Sequence, residues 1–242
     1  MEFYVLLLVI AVLYASVGHG GASGYLALMA LYNFAPEQMK SSALVLNLAV
    51  SLVSFWGYYK ERYFLKSIFI PIALLSIPMA LLGGFIHVET IVYKKILGAL
   101  LLVPAILFLL DLPNRQSIKS TIPSRLNLYL MGAIIGLLSG ILGIGGGILL
   151  SPLLLFLNYT DQKQTAAISA LFIFVNSLAG LIGPLVHQVS FDPQLAWYVG
   201  FTVIGGYIGS YLGVHIFNKG TLKRVLSIVL FMAAYKLLFT YG

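Results

Sequence analysis

The chain has 242 residues, of which 60% are hydrophobic and only 9% are charged, and its mean hydropathy is +1.00. A soluble domain carries about 25% charged residues, so the composition excludes an ordinary soluble globular protein. The chain has no cysteine, which excludes disulfides, thiol redox chemistry and Cys-ligated zinc or iron–sulfur sites. Its formal net charge of +7 is typical of Lys and Arg in the cytoplasmic loops of a membrane protein, rather than of nucleic-acid binding.

Long apolar segments follow one another along the whole chain. Runs of about 18 or more apolar residues indicate membrane-spanning helices, so we predict an all-α, multi-pass protein of the cytoplasmic membrane. In chain order the predicted apolar segments are residues 3–14, 25–34, 41–59, 67–86, a span that ends near 110, and then 126–158, 165–186, 195–217 and 221–240.

Two of these segments are interrupted by glycine clusters. The first cluster is Gly18-His19-Gly20-Gly21 and the second is Gly143-Ile144-Gly145-Gly146-Gly147. Glycine weakens a helix by about 1 kcal/mol per residue, so each cluster is expected to break its helix. A broken backbone is tolerated at membrane depth only where it is buried in protein or lines a cavity. Because paired breaks of this kind indicate substrate sites in transporters, we interpret both clusters as parts of such a site.

The two halves of the chain share further features in the same order. The run Ser42-Ala43-Leu44 recurs as Ser169-Ala170-Leu171, and Gly84 corresponds to Gly213. The pair Lys94-Lys95 likewise corresponds to Lys223-Arg224. Ordered matches of this kind predict an internal repeat. We assign residues 1–110 to a first transmembrane repeat, 111–125 to a polar linker and 126–242 to a second transmembrane repeat.

The distribution of Lys and Arg depends on whether the glycine-broken segments cross the membrane. If both cross, the chain has eight spans and its 14 basic residues divide equally between the two sides. If both are re-entrant hairpins, only Lys40, Lys94, Lys95 and Lys236 lie on one side. The remaining basic residues then share the other side, namely Lys60, Arg62, Lys66, Arg115, Lys119, Arg125, Lys163, Lys219, Lys223 and Arg224.

The unequal distribution obeys the positive-inside rule. It predicts two inverted repeats, each a glycine-broken re-entrant hairpin plus three transmembrane helices, as is common in secondary transporters. Eight full spans remain the alternative.

The absence of acidic residues from the middle of the predicted spans indicates what kind of ligand the predicted site could bind. All seven acidic residues lie in predicted loops or at the ends of spans. A carboxylate at membrane depth usually marks a cation or proton path, so a cation carrier with carboxylate ligands is not favoured. Helix N-termini that follow glycine breaks instead offer N–H groups that suit a sulfate-like or carboxylate anion.

The candidate substrate-binding residues are the glycines of the breaks and nearby polar residues. They are Gly18, His19, Gly20, Gly21, Ser23, Asn47 and Ser51 in the first half, and Gly143, Gly145, Gly146, Gly147, Ser151, Asn176 and Ser177 in the second. The alternative interpretation is that the Ser and Asn side chains only form hydrogen bonds between helices. We predict no catalytic residue, no metal and no cofactor.

His19 lies within the first break, where the second copy has Ile144. Imidazole titrates near neutral pH, so His19 is a candidate for proton coupling or substrate contact. The alternative is a histidine that is satisfied by a neighbouring carbonyl. The other histidines, His87, His187 and His215, lie near the ends of predicted spans.

The two glycine motifs, with Ser151-Pro152 after the second and Gly205-Gly206 in the penultimate span, resemble the TauE/SafE sulfite exporter family over essentially the whole chain. The resemblance implies a permease that moves sulfite, sulfoacetate or a similar small sulfur-containing or organic anion outward across the cytoplasmic membrane. Its expected partners are the small anion and the lipid bilayer, with no nucleic acid, and a homo-oligomer is left open.

A second hypothesis comes from a different class of protein. The sequence Gly21-Ala22-Ser23-Gly24 matches the Gly-x-Ser-Gly motif of rhomboid intramembrane serine proteases. That chemistry needs a histidine base on another span, for which His187 and His215 are the late candidates. The second glycine break has no role in such a protease. A non-transporting membrane scaffold is the third hypothesis.

Overall fold

The computed structural model describes residues 2–109, 123–189 and 191–215, together with 231, 234–235 and 238–239. Most of the predicted linker, the loop before the predicted last span and most of that span lie outside the described residues, including Arg115, Lys119, Lys219, Lys223, Arg224 and Lys236. Every regular element in the described ranges is an α-helix. The helices are α1 (Glu2–Ala15), α2 (Ala22–Leu31), α3 (Pro36–Lys60), α4 (Lys66–Phe85), α5 (Thr90–Leu109), α6 (Arg125–Leu142), α7 (Gly147–Phe156), α8 (Gln162–Val186) and α9 (Leu195–His215).

Five of the described helices, α3, α4, α6, α8 and α9, are long and apolar enough to cross a membrane. The helices α1, α2 and α7 are apolar but shorter, with 14, 10 and 10 residues. The predicted all-α, multi-pass architecture is therefore confirmed. The two predicted helix breaks fall between α1 and α2 and between α6 and α7.

The breaks depend on backbone conformations that favour glycine. Gly21 precedes α2 with φ 95° and ψ 1°, and Gly146 precedes α7 with φ 77° and ψ −14°. Both lie in the left-handed region, which a residue with a Cβ adopts only at a cost. The glycine clusters therefore stop one helix and start the next within a few residues.

The helices α1 and α2 form an antiparallel hairpin. Gly24, in the first turn of α2, packs against Ile10 and Tyr14 of α1. The ring of Phe3, at the start of α1, stacks on Phe34, beyond the end of α2, with 5.5 Å between the centroids. The chain beyond the end of α2 therefore lies beside the start of α1.

Each half of the chain contributes a helix that packs closely along a helix of the other half. On α9, Gly205 and Gly209 face the backbones of Leu8 and Val12 of α1, and Gly213 faces that of Ser16, directly after α1. On α6, Gly132, Gly136 and Gly140 face the backbones of Ile72, Ser76 and Ala80 of α4. Residue numbers rise together in both pairs, so the paired helices are parallel. Small residues at four-residue spacing allow this close approach of two backbones.

The centre of the bundle is a crossing of α3 and α8, which run antiparallel. The side chain of Leu44 lies near Gly180, and Asn47 Nδ2 donates to Ser177 Oγ at 3.2 Å. Further along α3, Tyr58 joins one apolar cluster with Ala166 and Ala167. The residues of α8 that face the centre are thus set by their packing against α3.

The helices end at two opposite faces, which we name by their loops. At the α3–α4 face, Lys163 Nζ donates to Tyr63 Oη at 3.1 Å, which places the start of α8 beside the loop that carries Arg62. At the α4–α5 face, Lys40 Nζ lies 3.4 Å from the carbonyl oxygen of Gly84. The hairpin of α1 and α2 begins and ends at the α4–α5 face.

We predict that the parallel contact of α1 with α9 is a large contributor to stability. A Cβ at Gly209 would collide with the backbone of Val12, whereas a Cβ at Gly200 of the same helix meets nothing within 4 Å. Gly209→Ala should lower the thermal unfolding temperature of the detergent-solubilised protein by several degrees. The matched control Gly200→Ala should leave it equal or raise it. Equal unfolding temperatures for Gly209→Ala and the parent would contradict this packing.

Candidate functional site

The two glycine breaks meet on the side chain of Asn47. A Cβ at Gly20 would lie 2.6 Å from Asn47 Oδ1, and a Cβ at Gly145 would lie 2.5 Å from Asn47 Nδ2. Both glycines also contact the Cγ2 methyl of Ile173, at 2.8 Å in each case from the position of a Cβ. Residues from the first break, the second break, α3 and α8 therefore converge on one point.

The helices that follow the breaks begin near this point and run away from each other. α2 begins at Ala22 and leads to Phe34 at the α4–α5 face. α7 begins at Gly147 and leads to Thr160, whose hydroxyl contacts that of Thr165 at 2.7 Å near the start of α8. Neither helix has a side-chain hydrogen bond at its N-cap. Two helix N-termini, each with a partial positive charge, thus face the same buried region.

Several buried polar atoms around this region have no hydrogen-bond partner. They include Asn47 Oδ1, Ser51 Oγ and Asn176 Oδ1, and each of these residues is fully buried. Asn176 Nδ2 donates to the carbonyl of Phe172 at 2.8 Å, so only its oxygen is unpartnered. Buried polar atoms are almost always paired, so this concentration requires an explanation.

His19 lies within the first break and is 5% exposed. Its Nδ1 is 3.0 Å from the carbonyl oxygen of Val17, while its Nε2 has no hydrogen-bond partner. The backbone of Gly147, from the second break, lies beside the ring. The imidazole therefore has one nitrogen held by its own loop and one nitrogen free within the protein interior.

Other predicted site residues lie away from the meeting point. Ser23 Oγ donates to the Tyr14 hydroxyl at 2.9 Å, which joins α2 to α1, and Ser151 Oγ is 2.7 Å from Ser169 Oγ, which joins α7 to α8. Of the remaining break glycines, Gly18 packs on Ala166, Gly143 on Lys40, Gly21 on Tyr25, and Gly146 on Phe172 and Ile135, whereas Gly147 packs on Ile173 at the meeting point.

Three residues near the breaks were not among the sequence-predicted candidates. Ile173 lines the meeting point, but one isoleucine in an apolar span carries no distinguishing signal. Ser139, which has an unpartnered hydroxyl, lies beside Gly146. Lys40 lies against Gly143 and is half-buried near the start of α3, and its position directly before the apolar segment 41–59 carries no signal that distinguishes it from other flanking lysines.

The serine protease hypothesis is not supported. The Ser23 hydroxyl is bonded to Tyr14 rather than to a histidine. The ring of His187 packs against that of His87, with 4.4 Å between centroids, and His215 packs against Tyr211 at 4.9 Å. Neither late histidine is thus engaged with the serine that it would have to activate.

Comparison with known proteins gives a consistent result. Residues 3–237 match the family model described as Sulfite exporter TauE/SafE. A probable membrane transporter protein of Sinorhizobium fredii is 37% identical over 95% of this chain and 94% of its own length. A probable membrane transporter protein of Methanocaldococcus jannaschii is 30% identical over 56% of this chain and 51% of its own length. No solved structure matches the chain.

The meeting of Gly20 with Asn47 predicts energetic coupling between the two positions. Gly20→Ala should destabilise the protein by about 1–3 kcal/mol, because its methyl group overpacks the site. Asn47→Ala removes the atom that the methyl group would meet, so the double variant should be more stable than additive losses predict, by about 1 kcal/mol or more.

The measurement is a double-mutant cycle on detergent-solubilised protein, followed by denaturant unfolding. Gly24→Ala is the matched control, because its methyl group would meet Ile10 and Tyr14 instead of Asn47. Gly24→Ala combined with Asn47→Ala should be additive. Additive losses for Gly20→Ala and Asn47→Ala would mean that the first break does not rest on Asn47.

Proposed function

The chain belongs to the TauE/SafE sulfite exporter family of membrane transporters, and from that premise we propose that it is an anion permease whose substrate binds where the two glycine breaks meet. The family and the relatives are transporters, so the chain is a multi-pass membrane transporter and not an enzyme. The proposed substrate is sulfite, sulfoacetate or a similar small sulfur-containing or organic anion, and the proposed direction is export.

The observation that carries the proposal is the convergence of two helix N-termini on one buried asparagine. A helix N-terminus presents N–H groups and a partial positive charge of about +0.5, which stabilises an anion without a basic side chain. The Asn47 amide and the Ser177 hydroxyl add side-chain donors from α3 and α8. Sulfonate and sulfite oxygens are acceptors of this kind of hydrogen bond.

The charges around the region favour an anion over a cation. Among the acidic residues that the structure describes, Glu2 and Glu37 begin helices and Asp161 caps α8, while Glu61, Glu89 and Asp192 lie outside the helices. No carboxylate of the described helices therefore opposes the positive ends of α2 and α7. Lys40, against Gly143, adds a positive charge on the approach from the α4–α5 face.

We propose that the site lies between two inverted repeats, each with a re-entrant hairpin. Three contacts support this arrangement: α1 packs on α9 as α6 packs on α4, the matched helices α3 and α8 run antiparallel, and Phe34 returns to Phe3. At the α3–α4 face, which we assign to the cytoplasm, Arg62 lies in the turn and four other basic residues lie at helix ends, namely Lys60, Lys66, Arg125 and Lys163.

The outer parts of the two breaks suggest how the site opens. Gly18 of the first break packs on Ala166, and the Tyr58 hydroxyl donates to the Ser16 carbonyl at 3.1 Å near the α3–α4 face. Gly143 of the second break packs on Lys40 near the α4–α5 face. Each break thus rests on a helix of the other half, at opposite faces. Separation of one contact at a time would expose the anion to one side only.

Reconstituted transport tests this proposal. Purified protein in proteoliposomes should move sulfite, sulfoacetate or thiosulfate. Asn47→Asp keeps the shape of the side chain but removes its N–H donors and introduces a negative charge, so it should reduce anion flux at least about tenfold. The control Asn158→Asp makes the same change after the end of α7, outside the site, and should transport as the parent does. Parent-like flux in Asn47→Asp, or no flux of any of these anions in the parent, would contradict the proposal.

His19 is proposed to couple transport to protons. His19→Gln retains a hydrogen-bonding side chain but cannot titrate near neutral pH. The variant should still bind the anion, while flux loses its dependence on an imposed pH gradient. Flux of the parent and the variant is compared with and without the gradient. An unchanged gradient dependence in His19→Gln would exclude this role and leave a histidine that only orders the loop.

The proposed topology is tested by cysteine labelling, because the parent chain has no cysteine. Lys60→Cys and Lys163→Cys should both resist an impermeant thiol reagent added outside cells, and Lys95→Cys should react. Eight full spans place Lys163 and Lys95 on the same side, opposite Lys60. Reaction at Lys163→Cys combined with protection at Lys60→Cys would therefore favour eight spans over the hairpins.

A further inference from the structure

A cavity of about 430 Å³ opens at the α3–α4 face, far from the meeting point of the breaks. Its lining combines three basic side chains with three aromatic side chains, namely Lys60, Arg62, Lys66, Trp56, Tyr59 and Phe64. None of these six residues lies at the meeting point of the breaks. We propose that this cavity, which we name the headgroup cavity, binds the phosphate of an anionic phospholipid.

The aromatic part of the headgroup cavity is ordered by direct contacts. Trp56 stacks on Tyr59 with 20° between the ring planes, and Lys60 Nζ lies 5.2 Å from the centre of the Trp56 ring. Trp56 remains 57% exposed and Tyr59 remains 42% exposed. Exposed Trp and Tyr rings at the end of a spanning helix are typical of the lipid headgroup region.

The chain reversal between α3 and α4 brings the basic residues together. Arg62 has φ 60°, and its N–H donates to the Tyr59 carbonyl at 3.0 Å. A branched or long side chain is uncommon in this left-handed conformation, which favours glycine or asparagine. An arginine in this conformation, where glycine or asparagine is favoured, suggests a role for its charge. Lys66 then begins α4, whose N-terminus adds a partial positive charge.

Nearby charges do not cancel this positive surface. Glu61 is exposed in the same turn, so one carboxylate accompanies the three basic residues that line the cavity. Lys163 adds a further positive charge next to the turn, where its Nζ bonds to the Tyr63 hydroxyl. The local excess of positive charge suits a phosphate group, which basic clusters at a membrane surface attract.

The surface below the cavity favours a lipid over a soluble anion. Leu52 lies one turn before Trp56 on α3 and is 49% exposed. On α4, Ile70 and Leu74 follow Lys66 at intervals of four residues and are 58% and 60% exposed. Residues at this spacing lie on one side of a helix. A phospholipid could therefore place its phosphate in the headgroup cavity and its acyl chains along these apolar side chains.

The two tryptophans of the chain provide matched reporters for the test. Trp56 lines the headgroup cavity, whereas Trp197 lies near the start of α9 at the opposite face. Trp197→Phe leaves Trp56 as the only tryptophan, and Trp56→Phe leaves Trp197. The full-length protein in a neutral detergent is titrated with phosphatidylglycerol or phosphatidylcholine that carry brominated acyl chains, and quenching of tryptophan fluorescence is measured.

Phosphatidylglycerol should quench Trp56 at roughly tenfold lower concentration than phosphatidylcholine, because each basic residue near the headgroup contributes to binding. Trp197 should show no preference between the two lipids. Arg62→Gln combined with Lys66→Gln should abolish the preference at Trp56. Arg125→Gln is the control on the same face, because α6 begins level with the start of α4 without lining the cavity, and it should retain the preference.

Three results would overturn the proposal. The first is equal quenching of Trp56 by the two lipids, and the second is a preference that survives the Arg62→Gln, Lys66→Gln double variant. The third concerns the source of the phosphate. If inorganic phosphate at millimolar concentration changes Trp56 emission while brominated phosphatidylglycerol does not quench it, the cavity binds a soluble anion and not a lipid. Transport is not measured in this test, so its outcome is separate from that of the proposed anion permease.

Discussion

The structure depends on the need to satisfy backbone polar groups away from water. A helix that stops inside an apolar bundle leaves N–H and C=O groups without partners, which is tolerated only when protein or a polar cavity surrounds them. Both breaks meet this requirement at the same point, between α3 and α8. Gly20 and Gly145 bring their backbones against Asn47 because neither carries a side chain. The same arrangement that buries the breaks also directs two helix N-termini at one polar residue.

The close packing of the long helices fixes the position of the two breaks relative to each other. Glycines at four-residue spacing on α9 and α6 allow their backbones to approach α1 and α4. Since α1 precedes the first break and α6 precedes the second, each break is attached to a helix from the other half of the chain. Small movements at these contacts would therefore change the separation of Gly20 from Gly145. In the proposed mechanism, such movements would open the buried site.

The sequence predicted the helices and the break positions well, for physical reasons that are local. Apolar runs and glycine clusters determine where a helix begins and ends, and the turns at Gly21 and Gly146 need the left-handed conformations that glycine provides. The convergence of both breaks on Asn47 could not be predicted in the same way. It depends on the antiparallel crossing of α3 and α8, which pairs Asn47 with Ser177 and not with Asn176.

The role of Ile173 was equally beyond local reasoning, since only the crossing distinguishes it from the other apolar residues of α8. The polar candidate residues also fall into two groups that only the three-dimensional structure distinguishes. Ser23 and Ser151 each bond to a neighbouring helix, while Ser51 keeps a buried hydroxyl without a partner. Sequence spacing could not distinguish these two groups.

The central claim is that both glycine breaks and Asn47 together bind one small anion. The most direct test is to determine the structure of the protein with selenite, a heavier analogue of sulfite, and to locate selenium by its anomalous scattering. The account predicts a selenium peak between Gly20 and Gly145, within hydrogen-bonding reach of Asn47 and the N-termini of α2 and α7. A bound selenium at another position, with Gly20 and Gly145 still closed on Asn47, would contradict it.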